Sequence, residues 1–199
     1  MDNYYESQWA SGFGDKYTQR CQIDYKPRVP MFKKLLKGLE IESVLEVGAN
    51  MGHNLVAINE AIGADVFGID INKYAIENAL MPIEYGSIYK LPYDENTFDL
   101  VYTAGVLIHI PPDKLKSAMK ELYRVSKKYI LIIEYPADDE RGRKYRDFGD
   151  KLGVWARPYG HLFQRLFENA RLVKTGSMKD IGKDKWGFSK DCDYHIFSK

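Results

Sequence analysis

The sequence has few cysteines, no long apolar run and no excess of charge of either sign. Its 199 residues include only Cys21 and Cys192, which lie far apart and outside any metal-ligand spacing, so neither a zinc site nor a disulfide framework is predicted. No apolar run approaches the roughly 18 residues of a membrane span, and the polar start lacks the layout of a signal peptide. With 29 basic and 28 acidic residues the net charge is +1, without the basic excess typical of nucleic-acid-binding chains. These absences predict a cytoplasmic protein without a membrane partner and argue against a nucleic-acid partner.

From residue 41 onward, short apolar runs alternate with helical patterns. The runs predict strands over 41–47, 64–69, 82–85, 98–103, 129–134, 172–178 and 194–197, and helices are predicted up to Gly63, over 73–80, from Pro111 onward and over 159–169. Strands that alternate with helices predict parallel pairing, because a right-handed crossover requires a helix between neighbouring strands. The pattern indicates one doubly wound α/β domain over 41–199, after a Tyr-rich segment 1–40. A long, charged loop is predicted over 136–158.

A glycine-bearing turn connects the first predicted strand to the following helix. Residues 44–52 read Val-Leu-Glu-Val-Gly-Ala-Asn-Met-Gly, which leaves bare backbone at the carboxyl end of the strand, where doubly wound sheets bind ligands. Asp70 follows eighteen residues after Gly52, at the end of the second predicted strand. A carboxylate there can accept hydrogen bonds from both hydroxyls of a ribose. The order of strand, turn, helix, strand and acid predicts a nucleoside-containing cofactor.

The glycine spacing discriminates between nucleoside cofactors. The dinucleotide fingerprint G-x-G-x-x-G, started at Gly48, requires glycine where the chain has Asn50 and His53. The alternative pattern E-x-G-x-G-x-G matches at Glu46, Gly48 and Gly52. Asn50 is a mild departure from it, because asparagine enters the left-handed region more readily than most residues with a side chain. The spacing therefore argues against an NAD-dependent oxidoreductase, and no P-loop sequence occurs.

Several motifs resemble those of a known family. Three of them, 46–52, 68–71 and 98–101, are similar to the successive motifs of class I S-adenosylmethionine-dependent methyltransferases. A closer resemblance, to methylases associated with pseudaminic acid biosynthesis, rests on 9–20, 105–110, Glu134-Tyr135 and Tyr145-Arg146, and covers about residues 9–148. It implies a Rossmann-like, mostly parallel seven-stranded sheet with an antiparallel last strand, S-adenosyl-L-methionine as cofactor, and a small-molecule acceptor of the sugar or nonulosonic acid type.

The resemblance also implies roles for individual residues. It places Gly48 and the turn after it at the methionine part of the cofactor, Asp70 at the ribose and Ile71 on the adenine. Residues 1–40 are expected to form a helical lid that excludes water, with Trp9, Phe13 and Tyr17 on one helical stripe. The candidate cofactor residues are Tyr17, Arg20, Glu46, Gly48, Asn50, Gly52, Asp70, Ile71, Gly86, Ser87, Ile88, Thr103 and Ala104.

Methyl transfer from a sulfonium releases a neutral leaving group, so the protein has mainly to align the acceptor and exclude water. Two catalytic candidates for a general base remain: His109, just before the proline pair, and Glu134, expected to open onto the acceptor side. Tyr135, Tyr145 and Arg146 are the candidate acceptor-binding residues, Arg146 as a bidentate partner of a carboxylate. No metal ligands are predicted.

Other functions on this fold remain open as alternatives. A methyltransferase acting on protein or nucleic acid is one, although the residues after the fourth predicted strand, 103–106, lack the Asn/Asp-Pro-Pro-Tyr/Phe motif that holds a flipped base. A non-catalytic cofactor-binding protein is another, because fold alone does not determine function. The sequence leaves the oligomeric state and the choice between oxygen and nitrogen methylation undetermined.

Overall fold

The fold is built on nine strands in a computed structural model that describes residues 4–138, 143–147, 153–181 and 191–199. The strands are β1 (Ser43–Val47), β2 (Asp65–Asp70), β3 (Ile83–Tyr85), β4 (Phe98–Ala104), β5 (Ser126–Glu134), β6 (Arg143–Asp147), β7 (Gly153–Ala156), β8 (Arg171–Ser177) and β9 (Asp193–Ser198). Seven of them form one sheet in the order β3-β2-β1-β4-β5-β9-β8, and β6 and β7 form a separate hairpin.

The pairing directions confirm the predicted doubly wound, mostly parallel sheet. The first five strands in that order pair in parallel, and β9 pairs antiparallel with both β5 and β8. The central strand β4 is buried along nearly its whole length and β1 along its last four residues. Strands covered on both faces are continuous apolar runs rather than alternating ones, which is why the sequence pattern located them within a few residues.

Eight helices and one 3₁₀ turn (Leu107–His109) are present in the described part of the chain. The helices are α1 (Tyr4–Trp9), α2 (Gly12–Arg20), α3 (Arg28–Leu35), α4 (His53–Ile62), α5 (Lys73–Glu77), α6 (Pro112–Val125), α7 (Tyr159–Leu166) and α8 (Met178–Ile181). They enclose two apolar clusters that contain alternate residues of the central strands. Helix α6 buries one apolar face, as its spacing predicts. Within the described residues, no helix is both long and apolar enough to cross a membrane.

The N-terminal segment differs from the predicted single stripe. Helix α1 ends at Trp9, and Phe13 and Tyr17 belong to α2, so the three residues lie on two helices. Their rings nevertheless meet, with the Trp9 centroid 4.9 Å from Phe13 and 5.2 Å from Tyr17. Gly14 makes this corner possible, because a Cβ at that position would come within 1.9 Å of the Trp9 carbonyl oxygen.

The segment predicted as one long loop, 136–158, contains the β6–β7 hairpin. Its strands pair antiparallel with a register irregularity between Lys144 and Arg146. Charged residues dominate β6, so the apolar alternation by which strands are recognised is missing there. Two predicted helices are also shorter than expected: α5 ends at Glu77 and α7 at Leu166.

Candidate functional site

A cavity of about 840 Å³, open solvent at its entrance included, lies at the carboxyl ends of β1, β2 and β4. Helices α1 and α2 cover it on one side, and the 3₁₀ turn with the residues around it closes another. Its described lining consists of Tyr5, Glu6, Trp9, Gly14, Tyr17, Thr18, Val47, Gly48, Asn50, Asp70, Ile71, Asn72, Gly86, Ile88, Tyr89, Ala104, Gly105, Val106, His109 and Ile110.

The turn after β1 brings bare backbone to the cavity. Gly48, Asn50 and Gly52 have φ angles of 79°, 51° and 78°, the left-handed region that favours glycine and tolerates asparagine. The Gly48 and Ala49 amides donate to the Ile69 carbonyl at 2.8 and 3.1 Å, which ties the turn to β2. A Cβ on Gly48 would lie 2.5 Å from a Val106 methyl group, so the turn also packs closely against the chain after β4.

Asp70 ends β2 with its carboxylate held by the backbone. One oxygen accepts from the Asn50 amide at 2.7 Å and the other from the Asn72 amide at 2.8 Å. Burial raises the pKa of the carboxyl above its usual value, while these amide hydrogen bonds act in the opposite direction. The acid is thus fixed in orientation at the cavity wall.

Glu46 is buried behind the turn and does not reach the described cavity lining. Its Oε1 accepts from the Asn54 side chain at 2.6 Å, whereas Oε2 makes no hydrogen bond of normal geometry within the described residues, although the nearby Tyr102 hydroxyl acts to lower the pKa of Glu46. Burial raises the pKa of Glu46 to about 8, and the positive charge of Arg28 opposes that rise. Arg28 also donates to the Asn54 amide oxygen, so the buried arginine and glutamate are connected through Asn54.

The cation near this network is Arg28 and not Arg20, the residue implied by the resemblance. Neither arginine is among the described residues that line the cavity; Arg20 is exposed at the end of α2, whereas Arg28 is 5% exposed and donates to Asn54. Sequence reasoning missed Arg28 because it stands between Pro27 and Pro30, outside any recognised motif. No local signal in the sequence distinguishes it from the other basic residues nearby.

His109 ends the 3₁₀ turn and lines the cavity. Its ring centroid lies 4.4 Å from that of Trp9 at the end of α1. Burial lowers the pKa of His109 to about 3, so the imidazole is neutral at pH 7. A neutral imidazole has one nitrogen able to accept a hydrogen bond and the other able to donate one.

Glu134 lies away from the cavity, contrary to the expectation that it opens onto the acceptor side. Its carboxylate accepts the backbone amides of Val106 and Leu107 at 2.8 and 2.7 Å, and of Ile108 more weakly at 3.4 Å. Burial raises the pKa of Glu134 to about 8, against the effect of these amides. Because β4 and β5 are neighbours, the acid at the end of β5 meets the turn after β4. In this arrangement Glu134 holds the turn that carries His109.

The structure brings together some of the candidate residues and separates others. Those that line the cavity are Tyr17, Gly48, Asn50, Asp70, Ile71, Gly86, Ile88, Ala104 and His109. Those absent from its described lining are Arg20, Glu46, Gly52, Ser87, Thr103, Glu134 and Tyr135. The backbone of Tyr145 and Arg146 belongs to β6, and their side chains lie outside what the structure describes. The described residues contain no group of three or more His, Cys, Asp or Glu able to hold a metal ion.

Asparagine side chains fasten α1 and α2 over the cavity. Asn72 donates to the Trp9 carbonyl at 3.0 Å and to an Asp15 carboxylate oxygen at 2.8 Å, while its own oxygen accepts from the Ala75 amide and caps α5. Asn50 donates to the Thr18 hydroxyl at 2.8 Å. Sequence reasoning missed Asn72, although an asparagine before a helix is a recognisable cap.

The architecture, with strand order β3-β2-β1-β4-β5-β9-β8 and a cavity beside the turn after β1, matches known structures. The fold is that of a class I methyltransferase. It superposes on the 1,6-didemethyltoxoflavin-N1-methyltransferase of Burkholderia thailandensis, which has bound S-adenosylhomocysteine, with a TM-score of 0.69 and 16% identity over 98% of this chain and 87% of that one. Residues 45–132 match the family model described as a methyltransferase domain.

Curated relatives of the methyltransferase domain differ in what their names say they methylate. The 24-methylenesterol C-methyltransferase 3 of Arabidopsis thaliana is 32% identical over 57% of this chain and 33% of its own length. The phosphoethanolamine N-methyltransferase of Plasmodium falciparum (isolate 3D7) is 28% identical over 75% of this chain and 59% of its own length. The chain thus spans less than two thirds of these relatives.

Proposed function

We propose that the chain transfers a methyl group from S-adenosylmethionine to a small-molecule acceptor. The observation that carries the proposal is the cavity in which the glycine turn, the backbone-held Asp70 and the neutral His109 meet. The match of residues 45–132 to the methyltransferase domain family supports it independently of the geometry.

The residues around the cavity fit the cofactor chemically. Asp70 faces a site where ribose hydroxyls can donate to it, and the apolar Ile71 and Ile88 offer a surface to the adenine, next to Gly86. At the other end, the partnerless oxygen of Glu46 suits an amino group, directly or through water. The remaining residues proposed for the methionine end are Tyr17, Asn50, Gly52, Thr103 and Ala104. Ser87 is proposed to act near the adenine through its backbone.

The buried Arg28, rather than Arg20, is the cation that we assign to the methionine end. Its side chain is connected to Glu46 through Asn54, so a guanidinium and a carboxyl group that is protonated near pH 7, both with little exposure, stand on the same side of the turn. An amino group that meets this carboxyl group favours its ionised form. An amino acid moiety carries one group of each sign, and buried charges are tolerated where such partners are met.

Helices α1 and α2 serve as the lid of the site in this proposal. The hydrogen bonds from Asn50 and Asn72 hold them against the two turns that face the cofactor. When bound, the cofactor supplies a methyl group on a sulfonium whose sulfur leaves as a neutral thioether. The chain's contribution is to align the acceptor and exclude water.

His109 is the residue that we place next to the acceptor. Its neutral ring can accept a hydrogen bond from the acceptor and orient the attacking atom. Glu134 acts through that turn as a positioning residue, since its oxygens are occupied by backbone amides.

The acceptor class proposed from the resemblance is a sugar of the nonulosonic acid type, methylated on a hydroxyl or an amine. Tyr135, Tyr145 and Arg146 are proposed to contact it, and Arg146 would supply the cation that a sugar carboxylate requires. The cover that α1 and α2 form over the cavity supports a small molecule over a macromolecular acceptor.

Calorimetric titration with S-adenosylmethionine, S-adenosylhomocysteine and NAD tests the cofactor assignment. We expect both sulfur compounds to bind with micromolar affinity and NAD not to bind. Asp70→Ala should weaken the binding of both sulfur compounds at least about tenfold, because it removes hydrogen bonds to a charged acceptor. The circular dichroism spectrum should be unchanged. Equal affinity in the folded variant would refute the ribose assignment.

A further inference from the structure

The charged side chains among the described residues that line the cavity are all acidic. Glu6 and Asp70 are the carboxylic acids among the described lining residues, and no lysine or arginine is among them. Both oxygens of Asp70 accept backbone amides. Glu6, which is half-buried on α1, makes no side-chain hydrogen bond or ion pair with the described residues. One carboxylate is therefore left for a cationic group.

Aromatic residues of the same helix line the cavity together with this carboxylate. Tyr5 and Trp9, which precede and follow Glu6 on α1, both line the cavity. The Tyr5 ring lies 5.2 Å from Trp155 of the β6–β7 hairpin, and the Trp9 ring meets His109, so this part of α1 faces the end of the cavity next to the 3₁₀ turn. Aromatic faces beside a carboxylate are an environment that binds ammonium groups.

Neither of the two candidate bases, His109 and Glu134, is suited to a hydroxyl acceptor. Removing a hydroxyl proton during methyl transfer requires a base with a pKa near the working pH. His109 is shifted far below that pH, and the oxygens of Glu134 are bound to backbone amides outside the cavity. An amine needs no base during the attack, because its lone pair is free once one proton has left to water.

We propose that the methyl acceptor is a basic amine nitrogen, held as an ammonium ion by Glu6 between Tyr5 and Trp9. This inference rests on the proposed function and narrows it. The ammonium first loses one proton to water. The nitrogen lone pair then forms the bond to the methyl carbon, the carbon–sulfur bond breaks with its electron pair going to sulfur, and the product is a methylated ammonium ion. One proton is released in each turnover.

The first test identifies what binds and what is methylated. The protein saturated with S-adenosylhomocysteine is dialysed against an extract of cellular small molecules, and the retained compounds are identified by mass spectrometry. A parallel reaction with trideuteriomethyl S-adenosylmethionine locates the label by fragmentation. We expect retained amines and label on nitrogen. Label on oxygen or carbon alone overturns the inference and leaves the proposed function intact. No labelled product, or no cofactor binding, refutes the proposed function itself.

A second test assigns the role of Glu6. We expect Glu6→Gln to lower retention of the amine about tenfold, which is the size of one charge-assisted hydrogen bond. The control Glu77→Gln makes the same charge change at an exposed residue of α5 outside the cavity and should leave retention unchanged. Glu6→Gln could instead weaken the binding of S-adenosylmethionine but not that of S-adenosylhomocysteine, with amine retention unchanged. In that case Glu6 interacts with the sulfonium of the cofactor and the inference is wrong.

Discussion

Asn72 is the residue whose loss should separate the lid from the rest of the domain. Its amide nitrogen donates to the Trp9 carbonyl and to the Asp15 carboxylate, and its oxygen caps α5 by accepting the Ala75 amide. The side chain is 3% exposed, so water does not replace these partners unless the lid opens. We expect Asn72→Ser to keep the cap of α5 but to lose the hydrogen bonds to Trp9 and Asp15, and Asn72→Ala to lose both.

The hydrogen bonds determine the size of each effect. The neutral bond to Trp9 contributes about 1 kcal/mol and the charge-assisted bond to Asp15 about 2 kcal/mol. Loss of both makes opening of α1 and α2 about 3 kcal/mol easier, roughly two orders of magnitude in the open population. The cap adds about 1 kcal/mol more, which only Asn72→Ala should lose.

Amide hydrogen exchange followed by mass spectrometry measures the opening directly. In Asn72→Ser we expect exchange over residues 4–20 to accelerate about a hundredfold, with the strands β1 and β4 unaffected. Asn78→Ala is the matched control, because Asn78 follows the C-terminal end of α5 and, among the described residues, its side chain donates only to the Tyr74 carbonyl. Unchanged exchange over 4–20 in Asn72→Ser would refute the view that this side chain fastens the lid.

Two further predictions concern the turn and the buried acids. Gly48→Ala should lower the unfolding free energy by at least about 1–2 kcal/mol, because a side chain is strained in the left-handed backbone at this position. It should also abolish S-adenosylhomocysteine binding in a calorimetric titration. The control Gly12→Ala should change neither, because a Cβ at Gly12 meets open space. Glu46 and Glu134 each have a folded pKa of about 8, raised above an unfolded value near 4.5, so their contribution to stability is complete below pH 4.5 and is lost as the pH rises to 8. Denaturant titrations between pH 6.5 and 8 should show the unfolding free energy falling by about 1–2 kcal/mol per acid. This range lies above the unfolded pKa of His109, so that histidine does not contribute. An unfolding free energy that does not change with pH, or one that changes as steeply in Glu46→Gln as in the unchanged protein, would contradict the burial argument.

The sheet was predictable because its central strands are covered on both faces. Such strands have no polar side, so β1, β4 and β5 stand out as apolar runs whatever surrounds them. The glycine turn was predictable for a related reason, since left-handed backbone restricts residue choice locally. Gly48 and Asp70 therefore reach the cavity as expected from the chain alone.

Features that depend on distant partners were not predictable. Arg28 shows no local pattern, and its burial beside Asn54 results from the packing of α3 against α4. The β6–β7 hairpin lacks apolar alternation in β6. Asn72 carries the local signal of a helix cap. Nothing in the sequence shows that its side-chain amide nitrogen donates to Trp9 and Asp15, which lie 63 and 57 residues earlier in the chain.

The roles of the acids near the ends of the strands could not be predicted from the local sequence. Glu46, Asp70 and Glu134 lie at or near the carboxyl ends of parallel strands, the edge at which doubly wound folds bind ligands. Their roles differ because of the groups opposite each carboxylate. Asp70 ends β2 at the cavity wall, while the acid of β5 meets three backbone amides of the turn after β4 and becomes part of the scaffold. Since that turn carries His109, the acid assigned from sequence as a base holds the turn in place, which is why we propose a positioning role for Glu134 rather than proton removal.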